Sequence, residues 1–433
     1  MRRTVLLLGV LFFLCIGSTL YSEPAPTLRT PDWSQVSDFA APPELRARAA
    51  ILVDVASQTV LYAKNPDLVI PPASLTKLVA IDAALVALKR GEIAIDADIA
   101  PAPAWWAENQ PPDSSLMFLG PGQRFDVEDL LLGLSVSSGN DAAVALAELV
   151  DGSVRAFAER MNRRVRELGL IDLSFEEPCG LSPRNTITAR SFARFLLAHL
   201  EQHPEVLREY YSVRTFTYPA AEHRVGAQAR APITQANRNT LLWEYEGVDG
   251  FKTGFIDESG YHLAATAERD GRRLVAVVLG LDAESHAIGG ALRAADAAAL
   301  LDYGFEAFST HRFGYPAPEA VRVFGGREPL VIPEGPTDIE ISVPAGSLER
   351  LQGRIEQEDE VIAPTPRAEV GRVAIELEGI ELASEVLVLP AQERAGVLRR
   401  LWDGTLVTVR RVGSWFADVE LPVQGAELSP VAP

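Results

Sequence analysis

The sequence predicts a mixed α/β (α+β) domain over residues 46–311, followed by a small antiparallel β domain over 313–390. Three observations carry this. Strand-like runs open and close the first region, with helical periodicity between them. After about residue 310 short alternating segments appear, broken by Pro and Gly. The chain itself, 433 residues with 47% hydrophobic and 23% charged, is long enough for two or three domains with cores of their own.

Taken in order, Ala49–Val55 (AAILVDV) reads as a strand and Gln58–Ala63 (QTVLYA) as its hairpin partner. Beyond Pro71-Pro72, the stretch Ser74–Lys89 sets Leu75, Leu78, Val79, Leu85 and Val86 at helical spacing. Val127–Leu134 and Ala142–Leu149 read as helices around a short polar break, and Ser153–Leu168 as another. Tyr261–Ala267 and Leu274–Leu281 flank an Asp270-Gly271 hairpin turn, and Ala291–Leu301 closes the region as a helix. In the second domain, Ile339–Val343 and Val373–Leu377 alternate apolar with polar residues, as half-buried antiparallel strands do.

The ends carry different signals. Met1-Arg2-Arg3 precedes an apolar run, Val5–Gly17, which is too short to span a membrane comfortably. Residues 1–22 therefore read as a secretory signal peptide, which implies export. Residues 23–45, rich in Pro, Ser and Asp, read as a tether. Cleavage near residue 22 leaves Cys179 as the one remaining cysteine, so no intramolecular disulfide is expected. At the other end, residues 391–433 read as an amphipathic membrane-associating helix and a tail. Val397, Leu398, Leu401 and Trp402 stand against Arg394, Arg399 and Arg400, while Gly404 and Val407-Thr408-Val409 weaken the helix. With 40 basic and 59 acidic residues the formal charge is −19, which excludes a general nucleic-acid binder.

Three short motifs carry chemistry. Ser74-Leu75-Thr76-Lys77 opens the first long helix, and a spacing of three puts hydroxyl and amine on one face. A lysine whose pKa is lowered by burial can take the proton of that serine. Alone the match means little, since an SxxK arises by chance roughly once in a chain of this length. Ser138-Gly139-Asn140 lies in the polar break between two helices, where a hydroxyl and an amide can project together. Lys252-Thr253-Gly254 precedes the strand pair; a cation and a hydroxyl at a strand edge suit a carboxylate, and the glycine admits close backbone approach. Read singly these are an N-cap, an inter-helix turn and a surface turn. Their joint occurrence in this order resembles the SxxK, Ser-x-Asn and KTG trio of penicillin-binding proteins and class A β-lactamases.

The flanking sequence narrows the choice. Ser115-Leu116-Met117-Phe118, Ser138-Gly139-Asn140-Asp141-Ala142-Ala143, Asn237-Arg238-Asn239-Thr240 and Val248-Asp249-Gly250-Phe251-Lys252-Thr253-Gly254 resemble the low-molecular-mass D-alanyl-D-alanine carboxypeptidases of the S11 serine peptidase family. The resemblance implies a penicillin-binding, β-lactamase-like transpeptidase domain. It implies Ser74 as acyl nucleophile, Lys77 as its base, Ser138 as proton relay and Asn140 as the orienting amide. It further implies Lys252, Thr253, Gly254, Arg238 and Arg293 around the terminal carboxylate, with the backbone amides of Ser74 and Phe255 as oxyanion hole. The expected substrate is the D-Ala-D-Ala end of a peptidoglycan stem peptide, with β-lactams as inhibitors. The expected place is the periplasm, at the outer face of the cytoplasmic membrane.

Alternatives remain open on sequence alone. A β-lactamase would need a deacylating carboxylate, for which Glu176-Glu177 offers candidates; a non-catalytic peptidoglycan-binding protein could use the same cleft. Cys179 stands where relatives commonly carry a histidine, which suggests a side chain at the rim of the site. His199 and His203 have helical spacing, but Pro204 follows and no HExxH occurs, so they read as surface histidines. No metal is expected, and without a Walker loop or dinucleotide fingerprint no cofactor either.

Overall fold

The computed structural model describes residues 23–314, 318–414, 423–426 and 429–430. The signal-peptide segment, 1–22, lies outside the described residues. The first domain is built on β1 (Ala49–Asp54) and β2 (Thr59–Lys64), followed by α1 (Thr76–Lys89), α2 (Val127–Leu132), α3 (Asn140–Asp151), α4 (Val154–Glu167) and α5 (Ala189–Gln202). A short hairpin of β3 (Thr215–Tyr218) and β4 (Ile233–Ala236) leads through α6 (Leu241–Glu244) to β5 (Val248–Ile256), β6 (Gly260–Arg269), β7 (Arg272–Leu281) and α7 (His286–Ala307). Five strands form one antiparallel sheet in the order β2-β1-β7-β6-β5. The N-terminal β1 thus pairs with β7, the last strand of the sheet, which leaves β2 and β5 at the edges.

The sheet is buried on both faces, and strand alternation divides its residues between two cores. Ile51, Val53, Val275 and Val277 join the helical side, with Leu78, Leu146 and Phe195. Leu52, Leu274, Ala276 and Val278 join the other side, with Leu300 and Leu301 of α7. Helix α1 is buried on nearly every side, as a helix central to a large core must be. Its one buried acid, Asp82, is held by Arg164 Nε at 2.5 Å and His199 Nδ1 at 2.8 Å. His199 and His203 are therefore core residues and not the surface pair expected. Their apolar neighbours Phe192, Phe195 and Leu196 put that face of α5 against the core.

Residues 23–45, expected as a tether, instead lie along the domain. Trp33 Nε1 donates to Val60 O at 2.8 Å, and the Phe308 ring meets Trp33 and Phe39 in T-shaped contacts. The aromatic residues supply the buried area that the Pro-rich composition concealed.

Beyond α7 the chain forms β8 (Phe308–Gly314), β9 (Val321–Phe324), β10 (Leu330–Val331), β11 (Asp338–Pro344), β12 (Leu351–Gln357), β13 (Glu360–Ile362), β14 (Ala368–Leu377) and β15 (Ile380–Leu389). Helix α8 (Val397–Ser414) follows, then β16 (Val423–Ala426) and β17 (Ser429–Pro430). The small sheets are β15-β14-β12-β16, β11-β8-β17 and β10-β9-β13. Polar ties join this region to the first domain. Thr310 Oγ1, on β8, donates to Asp54 Oδ2 at 2.7 Å, and Ser342 Oγ, on β11, lies 2.7 Å from Ser57 Oγ. Along α8, Leu398, Leu401 and Trp402 are exposed. Among the described residues no helix is long and apolar enough to cross a membrane.

Candidate active site

The first wall of the site is a tight turn. A 3₁₀ turn, Ala73–Leu75, leads into α1 and puts Ser74 one helical turn before Lys77. Lys77 is fully buried, and its Nζ has three neighbours: Asn140 Oδ1 at 2.7 Å, Cys179 O at 2.6 Å and Ser74 Oγ at 3.2 Å. A neutral amine has two N–H groups and one lone pair. In that form the two carbonyl oxygens accept both hydrogens and the lone pair faces the serine hydroxyl; in the ammonium form the third N–H donates to Ser74 Oγ. Burial also lowers the Lys77 pKa from its ordinary value, although Glu177 and Asp141 act in the opposite sense.

The second wall forms where α2 unwinds into a π-turn, Gly133–Ser137. Ser138 follows in the left-handed region, φ 60°, and Gly139 caps α3 so that Asn140 begins it. A serine at positive φ carries strain, which the surroundings must hold. Here Asp141 does so: its carboxylate accepts the amides of Met117, Phe118 and Leu119 at 2.7–2.9 Å, while Asn140 N donates to Ser115 O. The 115–119 segment and the start of α3 are thereby locked together.

The third wall is the edge strand β5. A Cβ on Gly254 would stand 2.8 Å from Pro72 O and 3.3 Å from Ser74 N, so the strand passes directly against the serine turn. Glycine is required by that approach. Lys252 is buried, and burial, together with Lys77, Arg238 and Arg293, holds its pKa well below the ordinary value. Arg293 Nη1 donates to Gly254 O, and burial beside Arg238 lowers its pKa to about 10. Crowded cations of this kind favour an incoming anion, which relieves their mutual repulsion.

Ser74, Ser138, Asn140, Arg238, Thr253, Gly254, Phe255 and Arg293 all line one cleft of about 330 Å³, with Lys77 and Lys252 buried beneath. The sequence reading missed Ser114, Ser115, Tyr261 and His286, which also line it. No spacing rule reaches them; only the lock of Asp141 onto residues 117–119 and the Tyr261–His286 hydrogen bond (2.9 Å) bring them in.

The family model for Peptidase S11, D-alanyl-D-alanine carboxypeptidase, matches residues 36–283. The chain belongs to the S11 D-alanyl-D-alanine carboxypeptidase family. It is 35% identical over 377 residues to D-alanyl-D-alanine carboxypeptidase DacA of Haemophilus influenzae, covering 85% of this chain and 91% of that one. With DacC of Escherichia coli it shares 33% over 388 residues, 87% and 92% of the two chains. Among solved structures, penicillin-binding protein 5 of Haemophilus influenzae superposes with a TM-score of 0.72 at 33% identity, covering 82% of this chain and all of that one.

Two expectations within this S11 member need correction. Cys179 is 4% exposed and does not line the cleft; its Sγ lies 3.6 Å from Asn140 O. Burial pushes its thiol pKa far up, so it is held protonated. Its contribution is the backbone carbonyl that fixes Lys77. The second correction concerns the loop carboxylates. Glu177 accepts the backbone amides of Cys179, Gly180, Leu181 and Ser182, and Glu176 pairs with Arg184. Both are consumed in shaping the loop. Because the Cys179 side chain lies outside the cleft and its carbonyl is what holds Lys77, Cys179→Ala is expected to keep the rate of acylation by penicillin within about threefold of the parent, the loss of one small core contact. Stopped-flow acylation measures this, and a loss above a hundredfold would give the thiol a direct role.

Proposed function

We propose that the chain is an exported serine D-Ala-D-Ala carboxypeptidase that removes the terminal D-alanine from peptidoglycan stem pentapeptides. The observation that carries this reading is the placement of Lys77 Nζ 3.2 Å from Ser74 Oγ, with two carbonyl acceptors for the hydrogens of a neutral amine. In the reaction, Ser74 Oγ attacks the carbonyl carbon of the penultimate D-alanine while its proton passes to Lys77 Nζ. The backbone amides of Ser74 and Phe255 receive the developing oxyanion. Ser138 relays a proton to the departing amine, Asn140 holds Lys77 in place, and D-alanine leaves. Water then hydrolyses the ester on Ser74 by the same proton path in reverse. Lys252, Thr253, Arg238 and Arg293 hold the carboxylate of the terminal D-alanine until that residue departs. A β-lactam enters by the same attack, but its leaving amine stays tethered to the adduct.

The β-lactamase reading loses its motivation, because Glu176 and Glu177 are both engaged in the loop. Mass spectrometry with and without penicillin tests the assignment. One adduct on Ser74, persisting for minutes or longer, is expected, with D-alanine released from a pentapeptide. Lys77→Ala is expected to lower that release by about 10²–10⁴, the usual worth of a general base. Turnover of the adduct within seconds would support a lactamase, and labelling away from Ser74 would overturn the mechanism.

The family acts outside the cytoplasm, and the cationic-then-apolar start of the chain supports a periplasmic location. The exposed Leu398, Leu401 and Trp402 of α8 support peripheral contact with the outer face of the cytoplasmic membrane. Co-flotation of the protein with anionic vesicles is expected, and is expected to be lost on Leu398→Asp with Trp402→Asp. Equal flotation of parent and variant would remove α8 as the contact.

A further inference from the structure

Away from the catalytic cleft, His203 sits at the C-terminal end of α5 with 1% of its side chain exposed. Neither of its ring nitrogens has a hydrogen-bond partner among the described residues. A buried imidazole left in that state costs stability, so its position asks for a reason. The ring is aimed at a carboxylate: Nε2 stands 3.7 Å from Asp82 Oδ1. His199, four residues earlier on α5, turns to the same oxygen, with Nδ1 at 2.8 Å. The three donor atoms lie within 4.8 Å of one another, and all three side chains are buried.

We propose that Asp82, His199 and His203 form a structural site for a divalent transition metal, with zinc(II) as the fitting ion. Zinc takes nitrogen and oxygen donors at about 2.0–2.2 Å in a tetrahedral arrangement, which sets any two donors about 3.4 Å apart. The separations of 2.8 and 3.7 Å from Asp82 Oδ1 bracket that spacing. Two imidazoles with one carboxylate suit zinc rather than calcium or magnesium, which prefer oxygen donors. Burial holds the His203 pKa down to about 4, so at neutral pH the ring carries a free lone pair.

Each donor also has an outer partner of the kind that orients metal ligands. His199 Nε2 lies 2.9 Å from Tyr211 Oη, so a ring bound to metal through Nδ1 keeps its N–H on the tyrosine. His203 Nδ1 lies 3.7 Å from Glu205 Oε1. Asp82 Oδ2 accepts Arg164 Nε at 2.5 Å, while Arg164 Nη2 is 3.4 Å from Oδ1, the oxygen that faces the histidines. Arg164 opposes the charge of the ion, and Asp82 and Glu205 together offset it. Sequence spacing speaks against a metal here because the third donor comes from α1, 117 positions before His199. An ion in this place pins α1, the helix that carries Lys77, to α5, and it stabilises the folded chain because only the folded chain assembles the site.

The test uses the untagged full-length chain with two probes, zinc(II) and cobalt(II). Elemental mass spectrometry counts the metal in protein isolated from zinc-supplemented cells. Uptake of either ion is then followed after chelator treatment, with hours allowed because the site is buried. One equivalent is expected, with the visible absorption of four-coordinate cobalt and a thermal midpoint raised by about 3 °C or more. His203→Leu fills the space of the ring without a lone pair, and His199→Gln removes the second imidazole. Each is expected to lower metal content at least tenfold and to abolish the cobalt spectrum, while penicillin labelling verifies the fold. A parent that holds no metal as isolated and takes up none would overturn the proposal, as would full metal content in folded His203→Leu. Asp126, Asp129 and His223 form a second group of converging donors. Binding that survives His203→Leu and is lost on His223→Ala would put the ion there and would equally overturn the assignment.

Discussion

An amine sealed inside a protein must have its hydrogens accounted for, and in this molecule the accounting at Lys77 organises everything else. Two carbonyl oxygens, from Asn140 and Cys179, take its N–H groups, and Ser74 receives what remains. Those oxygens come from different parts of the chain, one at the start of α3 and one on a loop 102 positions from Lys77. A base of this kind needs three segments brought to within hydrogen-bond distance, and each has its own device. Asp141 ties the start of α3 to residues 117–119, and Glu177 gathers four amides of the loop. A Cβ on Gly180 would stand 1.9 Å from Ala73 O, so the loop lies hard against the serine turn. The strand β5 closes the fourth side because Gly254 has no side chain to keep it away.

The same crowding explains the electrostatics. Burial lowers the pKa of Lys77, Lys252, Arg238 and Arg293, and Arg238 adds to that effect at the other three. A cleft lined by these cations suits the proposed substrate carboxylate even though the chain as a whole carries −19. Net charge described the outer surface; it said nothing of the cleft.

How much of this could be read in the sequence depended on whether the information was local. The hairpin, the long helix after Pro72 and the last two strands were legible because their periodicity is written in adjacent residues. The three motifs were legible because their order is distinctive. Other features rest on contacts between distant residues. Pro and Ser in 23–45 suggested a tether, while Trp33 and Phe39 found an aromatic partner in Phe308, far along the chain. His199 and His203 looked like a polar pair until Asp82 supplied a buried anion from α1. Cys179 drew attention as a side chain, whereas its carbonyl does the work, and no residue-type argument distinguishes those roles. Ser114, Ser115, Tyr261 and His286 reach the cleft only by tertiary packing.

The central claim is that Lys77 is a neutral amine when it meets the serine, and the pH dependence of acylation tests it most directly. The rate of Ser74 acylation by penicillin at subsaturating concentration follows the fraction of Lys77 without its extra proton. Burial lowers the pKa, so the rate is lost only as pH falls through that lowered value and is restored above it. The account predicts an acylation rate that has reached its plateau well below pH 10.5, the ordinary lysine value. A rate that keeps climbing tenfold per pH unit up to that ordinary value would contradict it.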